Sequence, residues 1–110
     1  MYIMGFEFIK LVKLSGSDKK YKAVLLNTDT GREVNVKFGS SSNMDYTKYY
    51  KRDGKEVADM KKKAYIARHS KNNEDWTASG KDTAGFYAKH ILWSEPTVKS
   101  SLATMLKRFF

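Results

Sequence analysis

The spacing of hydrophobic residues changes once along this chain, and that change limits the fold more than any other feature. Between about residues 6 and 38 the apolar residues follow an extended pattern, with strict alternation over residues 33–38. From Lys55 onward they recur at helical spacing, as in Val57, Met60 and Ala64. Because the helical part follows the extended part instead of alternating with it, the sequence predicts an α+β fold.

Three strands are expected in the extended part. Turn-forming clusters at residues 15–18 and 27–31 separate them, and loops this short join neighbouring antiparallel strands. The sequence therefore predicts a three-stranded antiparallel meander over about residues 6–38. In the first strand, Phe8 and Val12 have one parity and Ile9 the other, which predicts burial on much of both faces.

A long loop and three helices are expected after the meander. Residues 39–54 begin with a serine-rich segment and then interleave tyrosines with basic residues, a composition that favours a loop. We expect Asp53 to cap the first helix and Pro96 to be the first residue of the third. The three helices are predicted over about residues 55–70, 83–93 and 96–108.

Certain side chains in the helical part have expected packing roles. His69 should end the first helix by bonding free carbonyl groups. Trp76 and Trp93 should fix the packing between helices, each with an acceptor for its indole N–H. Gly85 lies inside a predicted helix, where glycine costs stability, so it indicates a close approach to a neighbouring element.

Length and cysteine content limit the organisation of the chain. At 110 residues without cysteine, residues 1–110 are expected to form a single domain held by packing instead of disulfides or thiolate-bound metals. The apolar N-terminal segment is interrupted by Glu7, Lys10 and Lys13. It therefore predicts neither a signal peptide nor a membrane span.

The charge balance favours an anionic partner. Lys and Arg number 21 against 12 Asp and Glu, which gives a net charge of +9. Contacts from such residues to phosphate would not depend on base sequence and would weaken as salt increases. The alternative is a solvated surface with no dedicated anion. The residues predicted to contact an anion or nucleic acid are Lys48, Lys51, Arg52, Lys61, Lys62, Lys63, Arg68 and Lys71.

Aromatic residues in the expected loop and at the end of the last helix are candidates for a protein interface, because aromatic side chains are enriched in such interfaces. Alternatively, the tyrosines cover the end of the sheet. A further alternative is a basic amphipathic C-terminal helix that lies on a membrane, but the apolar stripe of that helix would close the core equally well. The candidates are Tyr46, Tyr49, Tyr50, Phe109 and Phe110.

Catalytic chemistry is not expected. His69 lies near Glu74 and Asp75 in the sequence, and histidine with carboxylates can serve as base or metal ligand. The chain has two histidines, however, and neither of them has a His, Asp or Glu four residues away that could serve as a second metal ligand. We therefore expect a protein that is not an enzyme and that holds no metal or cofactor.

Seven short motifs occur in a fixed order over about residues 20–109. They are KFG at 37–39, DYT at 45–47, KAYIARH at 63–69, EDW at 74–76, TAGF at 83–86, ILW at 91–93 and PT at 96–97. This order resembles a small basic family of unknown function encoded by large double-stranded DNA viruses. The resemblance implies a viral origin, suggests a component of the virion, and brings no catalytic residues with it.

These observations lead to two expectations about function. The first is a virion-associated structural protein of the minor capsid or cement type, which binds larger coat subunits through aromatic and basic surfaces. The alternative is a non-specific nucleic-acid-binding protein associated with the packaged viral genome. The expected partners are coat proteins or other virion components, and nucleic acid under the alternative; a membrane is not expected. Localisation would be the virion, with host cytoplasm or nucleus during assembly.

Overall fold

Three consecutive strands form the predicted antiparallel meander. The computed structural model describes residues 5–110, in which β1 (Phe6–Lys13), β2 (Lys19–Asn27) and β3 (Arg32–Ser40) lie in the order β1-β2-β3. Gly16 and Gly31 occupy the two turns with φ values of +69° and +74°, a region that other residues rarely adopt. With helices following this sheet, the α+β fold class is confirmed.

A β-bulge in β1 decides which of its side chains face the core. Phe8 is paired with Leu25 and Lys10 with Val24, so Ile9 is an extra residue in the strand. Because side chains alternate with a period of two, one extra residue reverses the parity of those that follow. Phe8 and Leu11 therefore both pack against the core, while Ile9 is 48% exposed. The prediction that this strand is buried on much of both faces was wrong.

An additional helix, α1 (Tyr46–Asp53), lies within the segment for which a long loop was predicted. Asp45 caps it, because the Asp45 Oδ1 atom accepts a hydrogen bond from the Lys48 backbone N–H at 3.1 Å. Tyr46, Tyr49 and Tyr50 have helical spacing, and one face of α1 therefore packs towards the core. The loop prediction was wrong for residues 46–53.

The next long helix, α2 (Lys55–His69), agrees with its predicted extent, but its start differs. Gly54 holds the cap position with a φ of 91° and supplies no side-chain hydrogen bond, so Asp53 is not the cap. Asp53 instead accepts hydrogen bonds from the neighbouring Arg52.

The remaining helical segments complete the fold. Two short 3₁₀ turns precede α3 (Ala84–Tyr87), which continues as one π-helical turn (Ala88–Leu92). The last helix, α4 (Val98–Phe109), is capped by Thr97, whose hydroxyl accepts from the Ser100 N–H at 3.0 Å. Pro96 therefore lies before the cap, and the prediction that it is the first residue of this helix was wrong.

The core fills the space between one face of the sheet and the helices. Trp93 packs against Tyr65 of α2, as expected for an anchor between helices. Trp76 is partly buried, but its N–H finds no hydrogen-bond partner within residues 5–110, contrary to expectation. A methyl group at Gly85 would lie 2.5 Å from Glu74 Oε1, which confirms a close approach there. The buried core residues are Ala23, Leu25, Val36, Phe38, Tyr46, Ala58, Tyr65, Phe86, Tyr87, Ile91, Leu92, Trp93 and Met105.

Candidate nucleic-acid interface

A cleft of about 650 Å³ lies between α1 and α2 on one side and the end of β3 with α3 on the other. We call it the α2 cleft, because α2 contributes one wall through Lys61, Tyr65 and Arg68. These three residues recur at i, i+4 and i+7, so they share one face of the helix. The volume falls within the range of about 300–1,000 Å³ that is usual for ligand sites.

Stacked rings form the inner side of the α2 cleft. The Tyr65 ring lies nearly parallel to Trp93, with centroids 4.5 Å apart and 10° between the planes. On its other side Tyr65 stacks on His69 at 4.1 Å, and Tyr49 contacts Trp93 at 6.3 Å. Tyr65 and Trp93 are 4% and 9% exposed, whereas Tyr49 is half-buried and accessible. Burial, with the Glu74 charge as a smaller cause, raises the pKa of the Tyr65 hydroxyl, so it stays neutral.

Both carboxylates in the lining of the α2 cleft are already engaged. Asp45 Oδ2 lies 2.6 Å from Lys20 Nζ in an ion pair whose side chains are 3% and 9% exposed, respectively. Glu74 Oε2 accepts a hydrogen bond from His69 Nδ1 at 2.5 Å. Both carboxylates therefore have a hydrogen-bonding partner within the fold, and Asp45 is paired with a lysine.

Two cations at the rim of the cleft lack such partners. Lys61 and Arg68 are exposed, and none of the ion pairs among residues 5–110 includes either of them. The Lys61 ammonium lies 5.4 Å from the centre of the Tyr49 ring, a favourable cation–π distance. The rim of the α2 cleft therefore carries positive charge available to an anion.

The other basic candidates on or near α2 lie elsewhere. Lys62 turns inward, because its Nζ donates to the Ser94 carbonyl at 2.6 Å and lies 4.7 Å from the Tyr46 ring centre. Lys63 and Lys71 are exposed but do not line the cleft. The charges of Lys63 and Lys71 can therefore add only to the electrostatic field around the cleft.

The basic candidates on α1 are also divided. Arg52 pairs with Asp53 at 2.7 Å and lies 5.5 Å from the Tyr49 ring centre, next to the rim of the cleft. Lys48 and Lys51 are exposed and outside the cleft lining. Of the eight predicted residues, only Lys61 and Arg68 are brought together in the α2 cleft.

The structure gives the aromatic interface candidates different surroundings. Tyr46 is 4% exposed, and its hydroxyl donates to Asp59 Oδ1 at 2.7 Å. Burial and this bond raise the pKa of Tyr46 to about 12. Tyr50 is half-buried against Tyr46, with ring centres 5.9 Å apart. Tyr46 therefore offers no surface to a partner, and the three tyrosines do not form an exposed loop.

The C-terminal phenylalanines border a second depression, which we call the β1–α4 groove. Phe109 is half-buried, with its ring centre 4.9 Å from that of Phe86. Phe110 is 42% exposed and lies 5.8 Å from Phe8 of β1, with Lys81 over its ring at 4.4 Å. Apolar side chains of β1 and α4 line this groove together with the charged side chains of Glu7, Lys10 and Lys81.

Within residues 5–110 no group of three His, Asp or Glu lies close enough together to hold a metal ion. No helix in that part of the chain is long and apolar enough to cross a membrane.

Sequence reasoning missed several residues of the α2 cleft. Lys20, Asp45 and Trp93 reach it through tertiary packing, which their sequence positions do not indicate. The i, i+4, i+7 spacing of Lys61, Tyr65 and Arg68 was available and would have placed these three on one wall.

No protein-family model, no curated protein and no solved structure matches this chain. The viral origin therefore stays a prediction that depends on the seven motifs.

Proposed function

We propose that this protein binds nucleic acid without base-sequence specificity, using the α2 cleft and the basic surface around it. The observation that supports this most is the pair Lys61 and Arg68, which stand at the rim of a cleft whose two carboxylates are already engaged. Cations placed in this way release counterions when they contact phosphates, which drives association. If the motif resemblance holds, the nucleic acid is the packaged viral genome.

From the sequence, a structural protein that binds coat subunits was the first expectation and nucleic-acid binding was the alternative. The fold favours the opposite order. Contact with coat subunits depended on a loop of exposed tyrosines, but α1 buries Tyr46 and half-buries Tyr49 and Tyr50. The basic residues largely keep their exposure. The electrostatic surface therefore supports the function better than the aromatic surface does.

A comparison of two double variants tests the proposal. Lys61→Gln with Arg68→Gln removes two charges from the cleft rim. Lys99→Gln with Lys107→Gln removes two charges from exposed positions of α4 outside the cleft, and both reduce the net charge of +9 by two. Binding of a labelled 20-mer DNA is followed by fluorescence anisotropy at several salt concentrations.

We expect micromolar binding of the unaltered protein that falls steeply as salt rises, as is usual for non-specific binding. The cleft variant should lower the slope of log K against log salt by about 1.4 for single strands, since each phosphate contact contributes about 0.7. The α4 variant should leave the slope nearly unchanged. Equal losses in the two variants would show that the charge acts diffusely and that the cleft is not the interface.

The β1–α4 groove supports a second candidate function, a structural protein that contacts a larger coat subunit. Ile9 and Phe110 are 48% and 42% exposed and border the same groove, and Lys10 and Lys81 lie beside them. An apolar projection with an acidic rim on the coat subunit would fit such a surface.

Particle occupancy tests this second candidate. Ile9→Ser with Phe110→Ser should lower the amount of the protein in purified particles, measured by quantitative mass spectrometry. Met60→Ser is the matched control, because Met60 is 67% exposed and lies outside the groove. Thermal unfolding of the free variants separates loss of contact from loss of fold. Unchanged occupancy of a folded groove variant would rule out this surface.

A further inference from the structure

We infer that the α2 cleft accepts one nucleotide turned out of a single strand, with its base against Tyr49 and its phosphates at Lys61 and Arg68. This rests on the proposed function and adds the kind of strand and the mode of contact. Phosphate contacts alone would not distinguish a duplex from a single strand, so the distinction depends on the rings in the cleft.

Tyr49 is a partly exposed aromatic ring in the lining of the α2 cleft, as is His69. Tyr49 is half-buried, and Trp93 and Tyr65 lie behind it in contact with one another. A ring backed by other rings is held in place, so little side-chain entropy is lost when a base stacks on it. Stacking of bases on aromatic side chains occurs with every base and suits binding without sequence preference.

The positions of the cations fit a phosphate on either side of such a base. Lys61 lies one helical turn from Tyr65, and Arg68 lies about one turn further along the same face of α2. Lys61 already rests over Tyr49 at 5.4 Å, so its ammonium can turn from the ring to a phosphate without a change in the backbone. The cleft thus combines an aromatic surface with a cationic rim, as sites for single strands do.

The concave shape argues against a duplex at this position. A duplex keeps its bases stacked inside, so a recess of about 650 Å³ can hold a base only when that base is extruded or unpaired. Asn43 and Asn72 also line the cleft, and side-chain amides both donate and accept hydrogen bonds. They can contact the edge of any unpaired base.

The test uses a matched pair of tyrosine variants on the full chain. Tyr49→Leu removes the stacking surface, whereas Tyr50→Leu changes the adjacent residue, which is also half-buried but does not line the cleft. Affinities for a thymidine 12-mer and for a duplex of the same length are measured by anisotropy of labelled DNA. Circular dichroism confirms that both variants are folded.

We expect the single strand to bind about tenfold more tightly than the duplex, and Tyr49→Leu to lose about tenfold in single-strand affinity, as stacking losses usually do. Tyr50→Leu should bind like the unaltered protein. In a Trp76→Phe background, Trp93 fluorescence should change with the 12-mer and not with inorganic phosphate at the same phosphate concentration.

The outcomes separate this inference from the proposed function. Equal affinity for both DNA forms, with no effect of Tyr49→Leu, would overturn the base contact, while an effect of the Lys61 and Arg68 substitutions would still support nucleic-acid binding. An equal fluorescence change with inorganic phosphate would also overturn it, because the cleft would then be only an anion site. No binding of either DNA at low salt would overturn both.

Discussion

The buried ion pair between Lys20 and Asp45 gives the sharpest stability prediction, because it joins β2 to the start of α1. Lys20 Nζ also donates a hydrogen bond to the Asn43 carbonyl at 2.5 Å. Asp45 Oδ1 also accepts a hydrogen bond from the Thr47 hydroxyl at 2.6 Å. Asp45→Asn retains a good helix cap, since Asn and Asp are equivalent at this position. What the substitution removes is the charge opposite a buried ammonium.

The expected cost follows from the burial of the pair. Removing one partner of a buried ion pair costs about 3–5 kcal/mol, because the remaining charge has lost its solvent and its partner. The Lys20 side chain keeps 9% exposure, which permits some rehydration, so we expect the lower end of that range. At about 4 °C per kcal/mol for a chain of this length, the midpoint of thermal unfolding should fall by about 12 °C.

Asp53→Asn is the matched control for this experiment. It removes a carboxylate from the other end of α1, where the ion pair with Arg52 is equally short at 2.7 Å but its side chains are 62% and 29% exposed. Exposed pairs add little to stability, so the midpoint should change little. Adding Lys20→Met to Asp45→Asn should restore more than half of the loss, since an apolar side chain needs no counter-charge. Equal midpoint shifts for Asp45→Asn and Asp53→Asn would refute the reasoning from burial.

Three further predictions concern glycine, a titrating side chain and the core. Gly80→Ala should destabilise the fold by about 1–3 kcal/mol in urea unfolding, because the added methyl group would meet the backbone carbonyl of Asp75. Gly85→Ala should cost less, because its methyl group would meet the side chain of Glu74, which can move. Burial lowers the pKa of His90, so the unfolded chain binds a proton at this residue at a higher pH than the folded chain does. The free energy of unfolding should therefore be highest at neutral pH and decline below about pH 6.5. His90→Gln should flatten this decline in unfolding measured from about pH 7 to 5. Met105→Ala should cost about 2–5 kcal/mol in the same assay, because Met105 is 2% exposed and a cavity remains.

The parts of the fold that the sequence predicted are those with long and regular local patterns. Residues 33–38 alternate strictly, and apolar residues recur at helical spacing along α2. The residues that α2 buries are nevertheless Ala58 and Tyr65, whereas Met60 and Ala64 of the apolar pattern are exposed. The missed helix α1 has only eight residues, and tyrosines take the place of aliphatic residues on its inner face. Its i, i+3, i+4 spacing and the Asp45 cap were present in the sequence, but the basic residues between the tyrosines favoured a loop.

The candidate site was less predictable, because it depends on tertiary packing. Composition identified the basic residues, but not which of them face the α2 cleft. Lys20 and Asp45 are 25 residues apart, and no local pattern indicates that they meet. The bulge at Ile9 was not predictable from the sequence either. A bulge shifts the apolar residues from one parity to the other, and in the sequence this gives the same pattern as a strand with apolar side chains on both faces.

The bulge at Ile9 also affects how copies of this protein behave when crowded. β1 and β3 are the edge strands of the sheet formed by residues 5–110, and a straight edge is a template on which another chain can add a strand. A bulge bends the strand that carries it, so the edge formed by β1 is not straight, while exposed Arg32, Glu33 and Lys37 place charge on β3. Dense packing of many copies therefore favours contacts between folded surfaces and disfavours growth of amyloid-like fibrils.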